Sequence, residues 1–156
     1  MHSFLKILPL VLAATFGGAG SAAAQQDCTG PASSVRLQVD VQNVRSSSGL
    51  VAVTLYADDS RRFLARRGSL YVGRVPARAG TTRMCIHLPS TGVWGLAVYH
   101  DENGDRRYDR TSLGMPAEGF GFSNNPRTLF GVPAFRSVRL SVPRNDMRAT
   151  VRLRYP

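Results

Sequence analysis

Apolar and polar residues alternate from Val35 to Gln42, with Val35, Leu37, Val39 and Val41 set against Arg36, Gln38, Asp40 and Gln42. A period of two marks a strand with one buried face. Asn43 to Gly49 (NVRSSSG) supplies turn residues, and Leu50 to Ala57 resumes with Val51, Val53 and Leu55. The two runs predict a hairpin. Asp58 to Gly68 is polar and arginine-rich around Phe63-Leu64 and reads as a loop or a short helix, followed by a weaker strand over Ser69–Val75. Thr82–Leu88 turns Met84, Ile86 and Leu88 to one face. After Pro89-Ser90-Thr91-Gly92, Val93–His100 does the same with Trp94, Leu96 and Val98. Ala134–Val142 and Arg148–Tyr155 predict a closing hairpin around Pro143-Arg144-Asn145-Asp146. About seven short strands with turn chemistry between them, and no long helical period, predict an all-β, antiparallel sandwich.

The first 24 residues fall outside that pattern. Lys6 precedes a short apolar run over Ile7–Phe16, and Ala22-Ala23-Ala24 supplies the small-residue pattern that a signal peptidase reads. Ten apolar residues are too few to span a bilayer, which takes about 20. The expected organisation is a signal peptide over 1–24, a tail over 25–34 and the β-sandwich over 35–156, in a periplasmic or secreted protein. Gln25-Gln26-Asp27 before Cys28 does not resemble a lipoprotein cleavage site.

Export changes the reading of the cysteines. Cys28 and Cys85 are the two cysteines of the chain, and an even pair in an oxidising compartment reads as a disulfide, with two free thiols as the alternative. A bridge across 57 positions would stabilise the fold by roughly 4 kcal/mol through loop-closure entropy.

The full sequence carries a net charge of +10, and losing Lys6 with the leader leaves +9, every remaining cationic side chain being arginine. Such a surface attracts polyanions of the envelope. The arginines are scattered, however (Arg61-Arg62, Arg66-Arg67, Arg106-Arg107, Arg152, Arg154), which fits a solvated basic surface as well. Arg139, Arg148, Arg152 and Arg154 on the last two strands also keep an exposed edge from pairing with a neighbour. An envelope polyanion or another envelope protein are the partner classes this leaves; no pattern for specific nucleic-acid recognition is present.

His100 to Asn125, HDENGDRRYDRTSLGMPAEGFGFSNN, holds five of the ten acidic residues in 26 positions. Strand connections usually run about 2 to 6 residues, so a loop this long points to function. Asp101, Asn103, Asp105 and Asp109 occupy positions 1, 3, 5 and 9 of a run of oxygen ligands suited to Ca²⁺, with the Arg107 carbonyl and Glu118 as further donors. Departures from an EF-hand are clear, since glycine stands at position 4 (Gly104) where position 6 is Arg106, and Ser112 replaces the closing glutamate. The alternative is a set of Asx-turns held by pairing of the aspartates with Arg106, Arg107 and Arg110. Further on, Glu118, Phe120, Phe122, Ser123, Asn124 and Asn125 form a candidate loop surface. Phe120 and Phe122, with Phe130 and Phe135 after them, either cap an open end of the sandwich or offer an aromatic platform. A hydrolase built on His100, Asp101 and Ser123 is disfavoured, because neighbours on a strand point to opposite faces and Gly121-Phe122-Ser123-Asn124-Asn125 half matches a nucleophile elbow.

The combination HDENGD at 100–105, Asp109, Leu113-Gly114-Met115-Pro116, Glu118-Gly119 and Gly121–Asn125 resembles a family of small exported bacterial domains of unknown function, with a weaker match at Gly49–Val53 and Phe135. The resemblance implies an exported β-sandwich similar in style to transthyretin-like or carboxypeptidase-regulatory-like modules. It implies no catalytic residue. The expectation is therefore a non-enzymatic binding or structural domain whose 100–125 loop is its working surface.

Overall fold

The computed structural model describes residues 27–128 and 132–156. The expected signal peptide and Phe130 lie outside them. Eight strands and one helical turn follow in order: β1 (Val35–Val44), β2 (Leu50–Ala57), β3 (Tyr71–Pro76), β4 (Gly80–Leu88), β5 (Gly92–Asp101), β6 (Gly119–Phe122), α1 (Phe135–Val138), β7 (Arg139–Val142) and β8 (Met147–Arg152). They form a three-stranded sheet ordered β4-β1-β8 and a larger sheet ordered β3-β2-β5-β6, in which β7 lies beside the first half of β5. The β-sandwich is thus as expected, with one strand more than the sequence pattern marks.

The inward faces are those the alternation marks. Val39, Val41, Val51, Val53, Leu55, Ile86, Leu88 and Leu96 are fully buried between the sheets. Burial of each such side chain contributes about 1.5–3 kcal/mol.

Neither expected hairpin forms. β1 and β2 sit in opposite sheets, as do β7 and β8: β1 pairs with β4 antiparallel and with β8 in parallel, while β7 pairs with β5. The apolar face of a strand looks the same whether its successor lies beside it or across the core. The five residues 45–49 that join β1 to β2 are long enough to cross the roughly 10 Å between packed sheets. The first half of the expected 134–142 strand is instead the turn α1.

One side of the sandwich is nearly closed. The Phe120 N–H donates to the Arg154 carbonyl at 2.9 Å and the Arg154 N–H to the Phe120 carbonyl at 2.8 Å, joining β6 to the chain beyond β8. On the outer edge of β8 the Asn125 side chain takes the place of a strand, donating to the Thr150 carbonyl at 2.9 Å and accepting from the Arg152 N–H at 2.6 Å. Edge protection here is a side-chain amide rather than arginine charge alone. Cys28 and Cys85 lie at disulfide distance, their Cα atoms 4.3 Å apart. This ties the N-terminal tail to β4, where the Thr29 N–H also donates to the Cys85 carbonyl at 2.9 Å. Among the described residues no helix is long and apolar enough to cross a membrane.

Candidate functional site

The larger sheet is apolar on both faces. On its outer side two cross-strand rows form a floor: Val72, Thr54, Ala97 and Phe122 in one, Arg74, Ala52, Tyr99 and Phe120 in the next. An outward face rich in aromatic and small residues needs cover. Part of it comes from a second apolar cluster in which Tyr56, Phe63 and Phe122 pack with Val138, their rings meeting edge to face. Over the rest the cover stands off, leaving a groove of about 540 Å³. Its walls are Leu64 from the β2–β3 connection, Tyr108, Arg110 and Met115 from the 100–125 loop, and Val132. Leu64, Met115 and Val132 are exposed, Val132 by 64%. Apolar side chains gathered at the rim of a concave, apolar site are the usual signature of a binding surface.

Tyr108 is the hinge between loop and floor. Its ring stands edge-on to Tyr99 at 5.5 Å and to Phe120 at 6.5 Å. Burial, aided by the Glu118 charge and opposed by Arg110, pushes its hydroxyl up to about 12. Burial raises the Tyr99 hydroxyl as well. Both stay neutral donors over the whole range in which the protein would work. Phe120 is half-buried and lines the groove, whereas Phe122 is 9% exposed and belongs to the packed cluster as well. Packing, one of the two sequence readings of these rings, is what Phe122 does, while Phe120 packs against the same cluster and also lines the groove.

The loop is held by its own acids. The carboxylate of fully buried Asp101 accepts the N–H of Gly104 through Oδ1 and that of Arg106 through Oδ2, each at 2.8 Å. Asn103 Oδ1 accepts from the Asp105 N–H at 3.0 Å and Asp105 Oδ1 from the Arg107 N–H at 2.8 Å. Asn103 Nδ2 donates to Asp109 Oδ2 at 2.9 Å, and the Asp109 N–H donates to Glu118 Oε2 at 3.1 Å. Burial, reinforced by the charges of Asp101 and Asp109, holds the Glu118 carboxyl above its ordinary range, against the pull of the Asp109 N–H. These are the Asx-turns of the sequence reading. Its Asp–Arg pairs are not formed: among the described residues none of Asp101, Asp105 and Asp109 makes an ion pair, and Arg110 instead donates to the Gly114 carbonyl at 2.9 Å.

Asp101, Asn103, Asp105 and Asp109 are brought into one turn, with Arg106 at the sixth position in the left-handed region, φ 67°. That is where a Ca²⁺ loop places glycine. Among the described residues, however, no three His, Cys, Asp or Glu side chains stand close enough to hold a metal ion between them.

His100 and Ser123 are both buried and engaged elsewhere. His100 Nε2 lies 2.8 Å from the Ser48 carbonyl and Nδ1 2.8 Å from the Tyr155 hydroxyl. Ser123 donates to the Val138 carbonyl and accepts from the Leu96 N–H at 3.0 Å. Asn124 and Asn125, at φ 63° and 49°, turn the chain out of β6, and Asn124 Nδ2 reaches the Arg139 carbonyl at 2.8 Å. These residues of the proposed loop surface are structural partners of β7 and β8.

A family model described as an uncharacterized protein conserved in bacteria (DUF2141) matches residues 39–150. That span runs from the middle of β1 into β8 and takes in the whole groove. The chain belongs to this family. Comparison with curated proteins and with solved structures gives no significant match. Membership of DUF2141 brings no activity with it, so chemistry has to be read from the groove and the loop themselves. Tyr108 and Val132 are residues that sequence reasoning did not single out, and Leu64 and Met115 were named there without a part in any site. The available signal was in the strands: Thr54 and Tyr56 in β2, and Ala97 and Tyr99 in β5, make these strands apolar on both sides, as strands covered on both faces are.

Proposed function

We propose that this is an exported, non-enzymatic binding domain of the bacterial envelope, and that the outer-sheet groove walled by the 100–125 loop is its binding site. The observation that carries this reading is the groove itself, an apolar concavity of about 540 Å³ whose rim exposes Leu64, Met115 and Val132. Ligand sites are typically concave, mostly apolar and about 300–1,000 Å³, with few polar groups that set orientation. Export rests on the leader pattern at 1–24, and the pairing of Cys28 with Cys85 is in keeping with an oxidising compartment. The test is titration of the mature domain with a neutral apolar fluorophore such as Nile red. Saturable one-to-one binding is expected, and it should be lost in Ala97→Trp, which fills the floor. Binding unchanged in a folded Ala97→Trp protein would remove the groove from the argument.

A second reading is a weak Ca²⁺ site at Asp101, Asn103, Asp105 and Asp109. What supports it is the backbone, already curled as such a loop requires, with Arg106 in the glycine conformation. Because three acidic side chains do not converge, the ion would draw on Asn103 and on backbone carbonyls such as that of Arg107, with Glu118 swinging in. A thermal melt with Ca²⁺ and then with chelator tests it, since a ligand bound only by the folded state must raise stability.

A further inference from the structure

We infer that the groove takes a free single-chain amphiphile, a long-chain carboxylate whose apolar tail lies on the Ala97–Phe120 floor and whose anionic head meets Arg110. The inference rests on the groove being the binding site and adds the class of its ligand.

The floor excludes a peptide. It is made by β2, β5 and β6, whose backbone donors and acceptors are spent within the sheet. A peptide lying there would leave its own N–H and C=O groups without partners in an apolar site, at a cost of a lost hydrogen bond or more for each. A polymethylene tail has no such groups. It would gain by covering Ala97, Val98, Phe120 and Met115, which line the groove.

One residue of the lining differs in kind from the rest, since it alone is charged. This is Arg110, with its guanidinium 5.3 Å from the Tyr108 ring centroid. One of its nitrogens, Nη1, donates to the Gly114 carbonyl, and among the described residues it has no carboxylate partner within 4.0 Å. A guanidinium keeps five donors in a rigid fork, so most of its capacity stays free for a planar carboxylate. Arg74, at the end of the Tyr99 row and outside the groove lining, is a second cation that makes no ion pair among the described residues. Its Nε is buried with no hydrogen-bond partner among the described residues, its Nη1 reaches the Val72 carbonyl at 3.5 Å, and its Nη2 reaches the Tyr99 hydroxyl and the Arg106 carbonyl at 3.4 and 3.3 Å. Asp109 and Glu118 of the same loop do not line the groove, and the Asp109 N–H donates to the Glu118 carboxylate. An apolar trough lined by a single unpaired cation is complementary to a molecule with one anionic end, and the strongly basic chain attracts anions to its surface.

The test uses dodecanoate and 1-dodecanol as probes below their aggregation limits, on the mature protein, read by displacement of Nile red. Dodecanoate should bind saturably and more tightly than dodecanol. Each methylene removed from the carboxylate should weaken it by about threefold, as partial burial of apolar surface requires. Arg110→Gln should weaken dodecanoate by about tenfold while leaving dodecanol unchanged, as loss of one charge-assisted contact predicts. Met115→Asp, a change at an exposed rim position, should weaken both probes and serves where Ala97→Trp does not fold. If dodecanol binds in a way sensitive to Met115 and Ala97 but Arg110→Gln leaves dodecanoate untouched, the groove stands and the anionic ligand class falls. If Nile red binds in a way sensitive to Ala97→Trp but neither probe displaces it, the groove stands and the amphiphile falls; if Nile red itself does not bind, the groove is not the site.

Discussion

Asp101 holds Arg106 in a backbone conformation that arginine does not favour: Oδ2 of the buried carboxylate accepts the Arg106 N–H at 2.8 Å, and Arg106 sits at φ 67°. A left-handed conformation costs an ordinary L-residue about 1–2 kcal/mol, and glycine adopts it freely. Arg106→Gly should therefore stabilise the domain by about 0.5–1 kcal/mol after the added unfolded-state entropy of glycine, raising the melting temperature by roughly 2–4 °C. Asp101→Ala should act the other way. It strips two N–H groups of their acceptor at once, a loss of about 2–3 kcal/mol. Thermal melts of the two variants check both signs, and an Arg106→Gly protein that melts below the wild type would mean that the arginine side chain has a role the backbone does not explain.

Glu118 gives the loop a pH dependence of its own. Burial raises its carboxyl above the unfolded value of 4.5, so the folded state disfavours the ionised form. Its contribution is fully present below the unfolded pKa and is lost as pH rises through the folded one. Glu118→Gln keeps an oxygen for the Asp109 N–H and removes the buried charge. The variant should be the more stable at pH 7, and the two stability curves should meet near pH 4. A deficit of constant size at every pH would show that the hydrogen bond, not the charge, dominates. Melts with and without Ca²⁺ on the same pair then separate the readings, since Ca²⁺ would stabilise the wild type and not the variant.

Glu102 has the opposite sign. Its bonds from Arg45, first, and from Ser46 hold its carboxyl below the usual range. The stability it contributes is present above the unfolded pKa and lost as pH falls through the depressed one. Arg45→Gln should lower stability slightly at neutral pH, and its curve should merge with that of the wild type as pH falls below 4.5, the gap staying small because Arg45 is half exposed and surface pairs contribute little. Urea denaturation at pH 3 to 7 measures it.

The fold was legible where a residue's neighbours along the chain decide its environment, and not where contacts from far along the chain do. Val39, Leu96 and Ile86 announce their inward faces by alternation. Nothing in that alternation tells β1 to pair with Met147–Arg152 in parallel rather than with β2, because the choice is between two sheets that both want its apolar face. β6 escaped notice since Gly119-Phe120-Gly121-Phe122 carries no β-branched residue, and its strand conformation comes from β5 on one side and Arg154 on the other. The 100–125 loop stood out by its acids, and those acids do shape it. The groove did not stand out, because it lies between the loop and a sheet face that each read as complete alone. The amide of Asn125 and the turn at Arg106 illustrate the same limit: each is set by a hydrogen bond to a partner that only the fold supplies.

Gly119 and Tyr155 meet so closely that neither position is free to change alone. A Cβ on Gly119 would lie 2.3 Å from the Tyr155 ring, and that ring carries the hydroxyl bonded to buried His100 at 2.8 Å while stacking under Arg45 at 4.5 Å. Gly119→Ala should therefore destabilise by about 2 kcal/mol or more, as forced overpacking does. Tyr155→Ala should cost about 3–4 kcal/mol through lost packing and a stranded histidine nitrogen. In the double variant the clash no longer exists, so Gly119→Ala should add nothing beyond a few tenths of a kcal/mol to the tyrosine loss. A coupling energy near 2 kcal/mol in the double-mutant cycle is the expected result. Strict additivity of the two losses would mean that the glycine is required by the strand's own backbone, and that the His100–Tyr155 contact does not set how closely β6 approaches the C-terminal segment.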